Sequence, residues 1–225
     1  MGKKELIMDS VEVVGKTALS VIPVGGALVT AVYDVIKGNA LAKRHEKWKQ
    51  ALEERLSKVE ETLEKIGDNE LFATALVKTT ELAMKTAKEE KMQYLANAVV
   101  NSLKSTLDED RLLVFLTLLD KYTVSHIKII NFFYMPTRFD GVSRHTYSMG
   151  SPTNVLFSVY PELNNELFDK IYNDLYTDGM VNTPSLNITM SGSGMVAKRT
   201  TKLGDDFLQF IQEKENISAD VLYFY

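Results

Sequence analysis

Apolar residues recur at helical spacing through much of the chain, most clearly over residues 40–66. There the apolar positions follow one another at intervals of four and three, with charged residues between them. The stripe consists of Trp48, Leu52, Leu56, Val59, Leu63 and Ile66. Because this spacing is typical of a coiled-coil seam, it predicts one long helix whose stripe is a surface for self-association.

The same periodicity continues along the chain and predicts a bundle of further helices. Residues 70–88 and 89–106 form either two helices or one long bent helix, since no glycine or proline separates them. Asn69, Asp108 and Thr123 each precede an apolar run. Their short polar side chains are suited to cap a helix N-terminus, so they mark three predicted helix starts.

The C-terminal region has a different order of elements. Helical apolar spacing over residues 164–178 ends at Gly179, the residue type that most readily stops a helix. Ser-Gly-Ser-Gly at residues 191–194 then predicts the tip of a β-hairpin, and Leu-Gly at residues 203–204 opens a last helix. This order resembles the winged helix-turn-helix of many bacterial regulators.

These patterns together predict a mainly α protein, and 225 residues suffice for a bundle and a second small domain. We expect an apolar helical segment or helical hairpin at residues 1–38. A helical bundle with a long coiled-coil-like helix follows at residues 39–121. A winged helix-turn-helix-like domain with a small β-hairpin completes the chain at residues 122–225.

The N-terminal segment contains 17 consecutive residues without a charge, from residue 17 to residue 33. The favoured interpretation is a buried helix or helical hairpin bent at Pro-Val-Gly-Gly. The alternative is a membrane segment, because lysine and arginine residues follow closely, as they do on cytoplasmic flanks. The residues nominated for membrane contact are Val21, Ile22, Pro23, Gly25, Gly26 and Leu28.

The amino-acid composition excludes several kinds of functional site. The chain has no cysteine, which excludes disulfides, thiol catalysis and thiolate metal sites. Its three histidines lie far apart in sequence, so we predict no metal site and no cofactor. The net charge is −4, so no overall positive field draws the protein to nucleic acid.

Motifs for catalysis are missing from the sequence as well. It contains neither a GxxxxGK[ST] loop nor a GxGxxG loop after a strand. Ser125, His126 and Asp120 contain the residue types of a catalytic triad, but neighbouring positions on a helix point apart and no nucleophile elbow is present. We therefore predict that the protein is not an enzyme.

DNA binding is the usual role of a winged helix, and three cations in the predicted wing are candidates for phosphate contact: Lys198, Arg199 and Lys202. The predicted recognition helix opposes this role, because it carries four acidic residues against one lysine. Residues 138–225 contain seven Lys or Arg and eleven Asp or Glu. Such a surface loses the electrostatic attraction that supplies most DNA affinity, so protein contact is favoured.

Several motifs resemble those of a family of uncharacterised bacterial proteins. They are Ile-Pro-Val-Gly-Gly at residues 22–26, the helix at residues 90–102, and Asp-Glu-Asp at residues 108–110. Ser-Gly-Ser-Gly-Met and Thr-Thr-Lys-Leu-Gly follow near the C-terminus. The helical half is also similar, more distantly, to abortive-infection alpha proteins, through residues 122–130. The resemblance implies the same fold order and a role in phage defence or stress, with no catalytic residue.

Three functions follow from these observations as hypotheses. We favour a non-enzymatic protein that acts through protein contact, with the winged helix as a binding module and a protein partner or a second copy as its target. The alternatives are a phage-defence effector that inserts residues 17–36 into a membrane, and a DNA-binding transcriptional regulator. We expect a cytoplasmic location, or one on or in the inner membrane.

Overall fold

The computed structural model describes residues 37–59, 66, 68–103 and 107–213. Within them the chain is mainly helical and has no strand, so the mainly α prediction is confirmed. The described residues divide into two compact units. One contains residues up to 121 together with 210–213, and the other is formed by residues 122–209.

Within the described residues, four helices of eight or more residues form most of the first unit. A π-helical turn at Lys37–Leu41 leads into α1 (Ala42–Leu56), which is followed by α2 (Glu70–Lys85), α3 (Glu89–Ser102) and α4 (Glu109–Lys121). Capping by Asn69 is confirmed, because its side chain accepts a hydrogen bond from the backbone N–H of Phe72 at 2.8 Å. Asp108 likewise accepts from the N–H of Arg111 at 2.7 Å.

The helix predicted over residues 40–66 ends earlier, at Leu56. Its stripe lies inside the core of this unit: Trp48, Leu52, Leu56 and Ile66 are buried, and Val59 is half-buried. The Trp48 indole N–H donates to the Thr80 hydroxyl of α2 at 3.2 Å. The stripe therefore packs against helices of its own chain, and Leu63 lies outside the described residues.

The second unit combines helices with long irregular connections. It contains α5 (Val124–Tyr134), α6 (Pro152–Val159), α7 (Phe168–Thr177), the short α8 (Gly192–Met195) and most of α9 (Lys202–Ile211). Short 3₁₀ turns occupy Pro136–Arg138, Val142–Tyr147 and Pro161–Leu163. Gly179 has a φ of 72° and ends α7, as the sequence predicts, since this left-handed conformation favours glycine.

The predicted β-hairpin is not formed as a ladder in the described residues. Val181 and Thr200 make one isolated antiparallel bridge, and the segment between them contains α8. The Ser191 hydroxyl caps this short helix, whose Gly-Ser-Gly-Met sequence interrupts the alternation of polar and apolar residues at 185–190. A Cβ built on Gly192 would overlap the Thr146 carbonyl, so the predicted wing tip instead packs closely against the 142–147 turn.

Candidate protein-interaction surface

Helix α7 has one buried side and one exposed side. Phe168, Tyr172 and Leu175 are buried in the core of the second unit. The exposed surface, which we call the acidic face, combines Glu166 and Leu167 of the turn before α7 with Asp169, Asn173 and Tyr176 of the helix itself. Leu167 is 58% exposed and Tyr176 is 41% exposed, so this short segment exposes apolar and aromatic side chains as well as two carboxylates. Large exposed apolar side chains rimmed by polar ones are typical of contact surfaces.

The charges of α7 are divided between the two sides. Asp174 binds the Lys170 ammonium at 2.5 Å, and Asp178 accepts a hydrogen bond from the Tyr122 hydroxyl at 2.9 Å. Glu166 and Asp169 are exposed, and neither makes an ion pair with any residue that the structure describes. The acidic face thus keeps two uncompensated negative charges, while Lys170 is neutralised by its neighbour.

The three cations nominated for DNA contact are already engaged within the second unit. The Lys198 ammonium lies 2.6 Å from the Asp205 carboxylate and 4.8 Å from the centre of the Tyr134 ring. Lys202 forms an ion pair with Asp206. These pairs reduce the positive charge that this segment would present to a phosphate.

Arg199 differs from the two lysines because it is buried, with 4% of its surface exposed. Its guanidinium donates to the carbonyl oxygens of Gly194 at 2.7 Å and Ala197 at 2.9 Å, and lies over the Phe133 ring. Burial lowers the pKa of Arg199 from its ordinary value. The sequence-based interpretation of this residue as a phosphate contact is therefore replaced by a role in holding the loop before α9.

A polar cluster that the sequence analysis did not find surrounds His126. Its Nδ1 accepts a hydrogen bond from the backbone N–H of Thr123 at 3.2 Å and lies 2.9 Å from the Thr123 hydroxyl. The bond to the Thr123 N–H is one half of a capping box at the start of α5. The ring stacks on Tyr122, and Nε2 lies 3.7 Å from Asp174. Burial raises the pKa of Tyr122. The only sign of this capping box in the sequence is the Thr-x-x-His spacing of residues 123 and 126.

Thr123, His126 and Asp174 contain the residue types of a hydrolytic triad, but their geometry serves the helix cap. The imidazole nitrogen nearest the hydroxyl already accepts a backbone N–H, so it is poorly placed to remove the hydroxyl proton. His126 contacts Thr123 and Asp174, and not Ser125 or Asp120, the partners considered from the sequence. The cluster is best explained as a stabilising element of α5.

The loop between α5 and α6 exposes a second set of side chains. Tyr147 is 94% exposed and Met149 is 76% exposed, while Arg144 is exposed and His145 is half-buried. We call this set the Tyr147 loop. Periodicity could not reveal it, because a 3₁₀ turn of six residues is too short to show a repeat, and residues 192–195, which pack against the turn, are distant in sequence.

A shallow cleft of about 260 Å³ lies between α1 and α3 in the first unit. An ion pair between Lys47 and Glu89 stands at its rim, and Ala51 and Met92 are buried beneath it. In the part of the chain that the structure describes, no group of three acidic or histidine side chains is arranged to hold a metal ion. The cleft therefore offers no arrangement that points to catalysis.

The nominated membrane segment, Val21 to Leu28, lies outside the described residues. Among the residues that are described, no helix combines the length and apolar character needed to span a bilayer. Comparisons with protein-family models, with curated proteins and with solved structures found no match.

Proposed function

We propose that this chain is a non-enzymatic interaction protein that binds polypeptide through the acidic face of α7. The observation that carries this proposal is that residues 166–176 expose Leu167 and Tyr176 together with Glu166 and Asp169, which have no ion-pair partner in the described residues. Carboxylates repel a nucleic-acid backbone but attract the lysine and arginine side chains of a protein. Leu167 and Tyr176 add apolar area that a partner can bury.

The second unit has features that support a winged-helix-like architecture. Helices α5, α6 and α7 precede the bridge between Val181 and Thr200, and α9 follows it. The Thr201 N–H donates to the Met180 carbonyl at 3.0 Å, and the Asn182 N–H donates to the Arg199 carbonyl at 2.9 Å. These bonds place residues 180–182 beside 199–201, where the base of a wing would lie. In this proposal α7 has the position of a recognition helix, used for protein contact.

The DNA-binding alternative receives less support. It requires exposed cations near α7, but Lys198 and Lys202 are paired with carboxylates and Arg199 is buried. Anisotropy of a fluorescent random-sequence duplex at low salt tests this point with the full chain. We expect no saturable binding, and the same result for Lys198→Ala with Lys202→Ala. Salt-sensitive binding that these substitutions abolish would favour DNA.

Photo-crosslinking tests the protein contact directly. A benzoylphenylalanine placed at position 173, in the centre of the acidic face, should give discrete polypeptide adducts in cells that naturally make the protein. Charge reversal by Glu166→Lys and Asp169→Lys should remove these adducts. The matched control carries the crosslinker at exposed position 78 of α2 and should give none. Adducts that persist after charge reversal, or adducts with nucleic acid alone, would contradict the proposal.

A further inference from the structure

The Tyr147 loop is exposed but firmly held. Gly150 and Met190 exchange two backbone hydrogen bonds, of 3.1 and 2.7 Å, just after the exposed side chains. Beneath the loop, Gly192 packs against the Thr146 carbonyl with no room for a side chain. The Arg144 Nε donates to the Gly141 carbonyl at 2.8 Å. Because the backbone of the loop is already anchored, it loses little conformational entropy when a partner binds, which favours association.

The residue types of the loop are those that contribute most to protein contacts. Tyrosine, methionine and arginine are enriched at interfaces, where they supply area and directed hydrogen bonds. Residues 141–150 contain no acid, and Arg144 makes no ion pair within the described residues. The loop therefore presents two large apolar groups beside an uncompensated positive charge.

The acidic face is the chemical complement of this loop. It exposes Leu167 and Tyr176 together with two uncompensated negative charges, and the one cation of this segment, Lys170, is paired with Asp174. Both surfaces belong to the second unit, so every copy of the chain carries both. Complementary charges across a contact promote encounter and fix its register.

We infer that the partner of the acidic face is the Tyr147 loop of a second copy of this chain. This inference rests on the proposed function and names its partner. In the contact, Glu166 and Asp169 of one copy bind Arg144 of the next, and the apolar groups of both surfaces are buried together. Because the two surfaces are unlike, the contact is heterologous, and it either closes into a ring or extends as a chain.

The strength of the contact follows from its size. Each surface offers only a few large side chains, which is less than the roughly 800 Å² per partner of a standard interface. We therefore expect association in the micromolar range, weakened by added salt because the charges at its edge are exposed. Sedimentation of the full chain between 5 and 200 µM, at low and high salt, measures both properties.

Two blocked variants test the two surfaces separately. Tyr147→Ala with Met149→Ala removes the apolar part of the loop, and Glu166→Lys with Asp169→Lys reverses the acidic face. Each should weaken self-association at least tenfold, while Lys78→Glu, an exposed charge reversal on α2, leaves it unchanged. Mixing the two blocked variants should restore association but stop at dimers, because each mixture member retains one working surface.

Several results would overturn the inference. Wild-type chain that remains monomeric up to 200 µM excludes self-contact, and association that both blocked variants retain excludes these surfaces. Circular dichroism of each variant shows whether it is folded. A charge exchange that combines Arg144→Glu with Glu166→Arg and Asp169→Arg should restore association without removing apolar area. Its failure, with all variants folded, would also count against the pairing.

The crosslinking experiment separates this inference from the proposed function. An adduct at position 173 with twice the mass of the 25.3 kDa chain supports both. An adduct with a different polypeptide, together with a monomeric chain in sedimentation, overturns self-contact but retains protein binding. If no adduct forms and the chain does not self-associate, both the inference and the proposed function are overturned.

Discussion

The segment at residues 210–212 and the loop at residues 190–200 are both held by buried side chains that donate to backbone carbonyls, but the donors differ in charge. In the first unit, the amides of Asn97 and Asn101 donate to the carbonyls of residues 210–212 at 2.9 to 3.0 Å. In the second unit, the donor is the guanidinium of Arg199. A neutral amide loses less hydration free energy on burial than a charged guanidinium does. The second arrangement is therefore the more costly one to assemble.

Removal of Arg199 should give the largest effect. Arg199→Ala removes the hydrogen bonds to the Gly194 and Ala197 carbonyls and leaves a cavity, so we expect a loss of about 3–4 kcal/mol in the free energy of unfolding, measured in urea. Arg199→Met fills most of the space and removes the buried charge, so it should recover about half of that loss. Lys202→Ala, at an exposed ion pair, should change stability by less than about 0.5 kcal/mol. Equal losses for Ala and Met would show that the lost hydrogen bonds, and not the cavity, account for the effect.

Gly192→Ala should be the next most damaging change, because it separates the loop that Arg199 holds from the 142–147 turn. The new methyl group would meet the Thr146 carbonyl, which is backbone and cannot move away cheaply. Overpacking of this kind costs about 2–3 kcal/mol. Gly38→Ala, where a Cβ meets nothing within 4 Å, is the matched control. Wild-type stability for Gly192→Ala would contradict the close packing.

Asn101→Ala tests the contribution of an uncharged amide donor in the first unit. The amide serves two carbonyls, Phe210 and Gln212, so its loss should cost about 1–2 kcal/mol. Asn101→Asp should cost more at pH 7 than at pH 4, because an ionised carboxylate would face carbonyl oxygens. Urea unfolding at both pH values distinguishes this electrostatic effect from a simple loss of packing. An aspartate as stable as wild type at pH 7 would argue against the two bonds.

Lys91 provides a cation that can lose its charge, which Arg199 cannot. It is buried in the first unit and donates to the Leu119 carbonyl at the end of α4. Burial lowers the pKa of Lys91 to about 8, from an ordinary value of 10.5. Since the folded state then binds fewer protons than the unfolded state, stability rises with pH above about 8.

The measurement compares wild type with Lys91→Met between pH 7 and pH 9.5. Stability of the wild type should increase relative to the variant by about 1–2 kcal/mol. The range stops there because buried Tyr122 and Tyr172 resist ionisation and would lower stability at higher pH. A constant difference across the range would show that Lys91 titrates normally.

Local signals explain what could be predicted from the sequence. Asn69, Asp108 and Gly179 act through bonds to residues three to five positions away, or through their own backbone conformation, so their roles were foreseeable. The break between α2 and α3 was left open, and it occurs where Thr86 and Lys88 adopt extended conformations. No glycine or proline marks this break.

The missed features depend on residues far apart in the chain. Arg199 looked like a surface cation, because only the folded loop surrounds it with carbonyls. The stripe at Trp48 looked like a seam for another chain, because periodicity shows that a face is apolar but not what covers it. Tyr147 and Met149 lie in a stretch without periodicity, so their exposure could not be inferred. The acidic character of α7 was visible in sequence, but the inward placement of Asp174 and Asp178 was not.

The discontinuous first unit has a consequence for how the chain folds. Residues 210–213 belong to it, and Glu213 binds Arg55 at 3.4 Å and Lys58 at 2.5 Å across more than 150 positions of sequence. The second unit is continuous in sequence, so during synthesis all of its residues leave the ribosome before the first unit has received its last segment. Contacts of such long range close slowly. The first unit, whose helices are synthesised first, would thus complete its packing last, after the residues of the second unit have been translated.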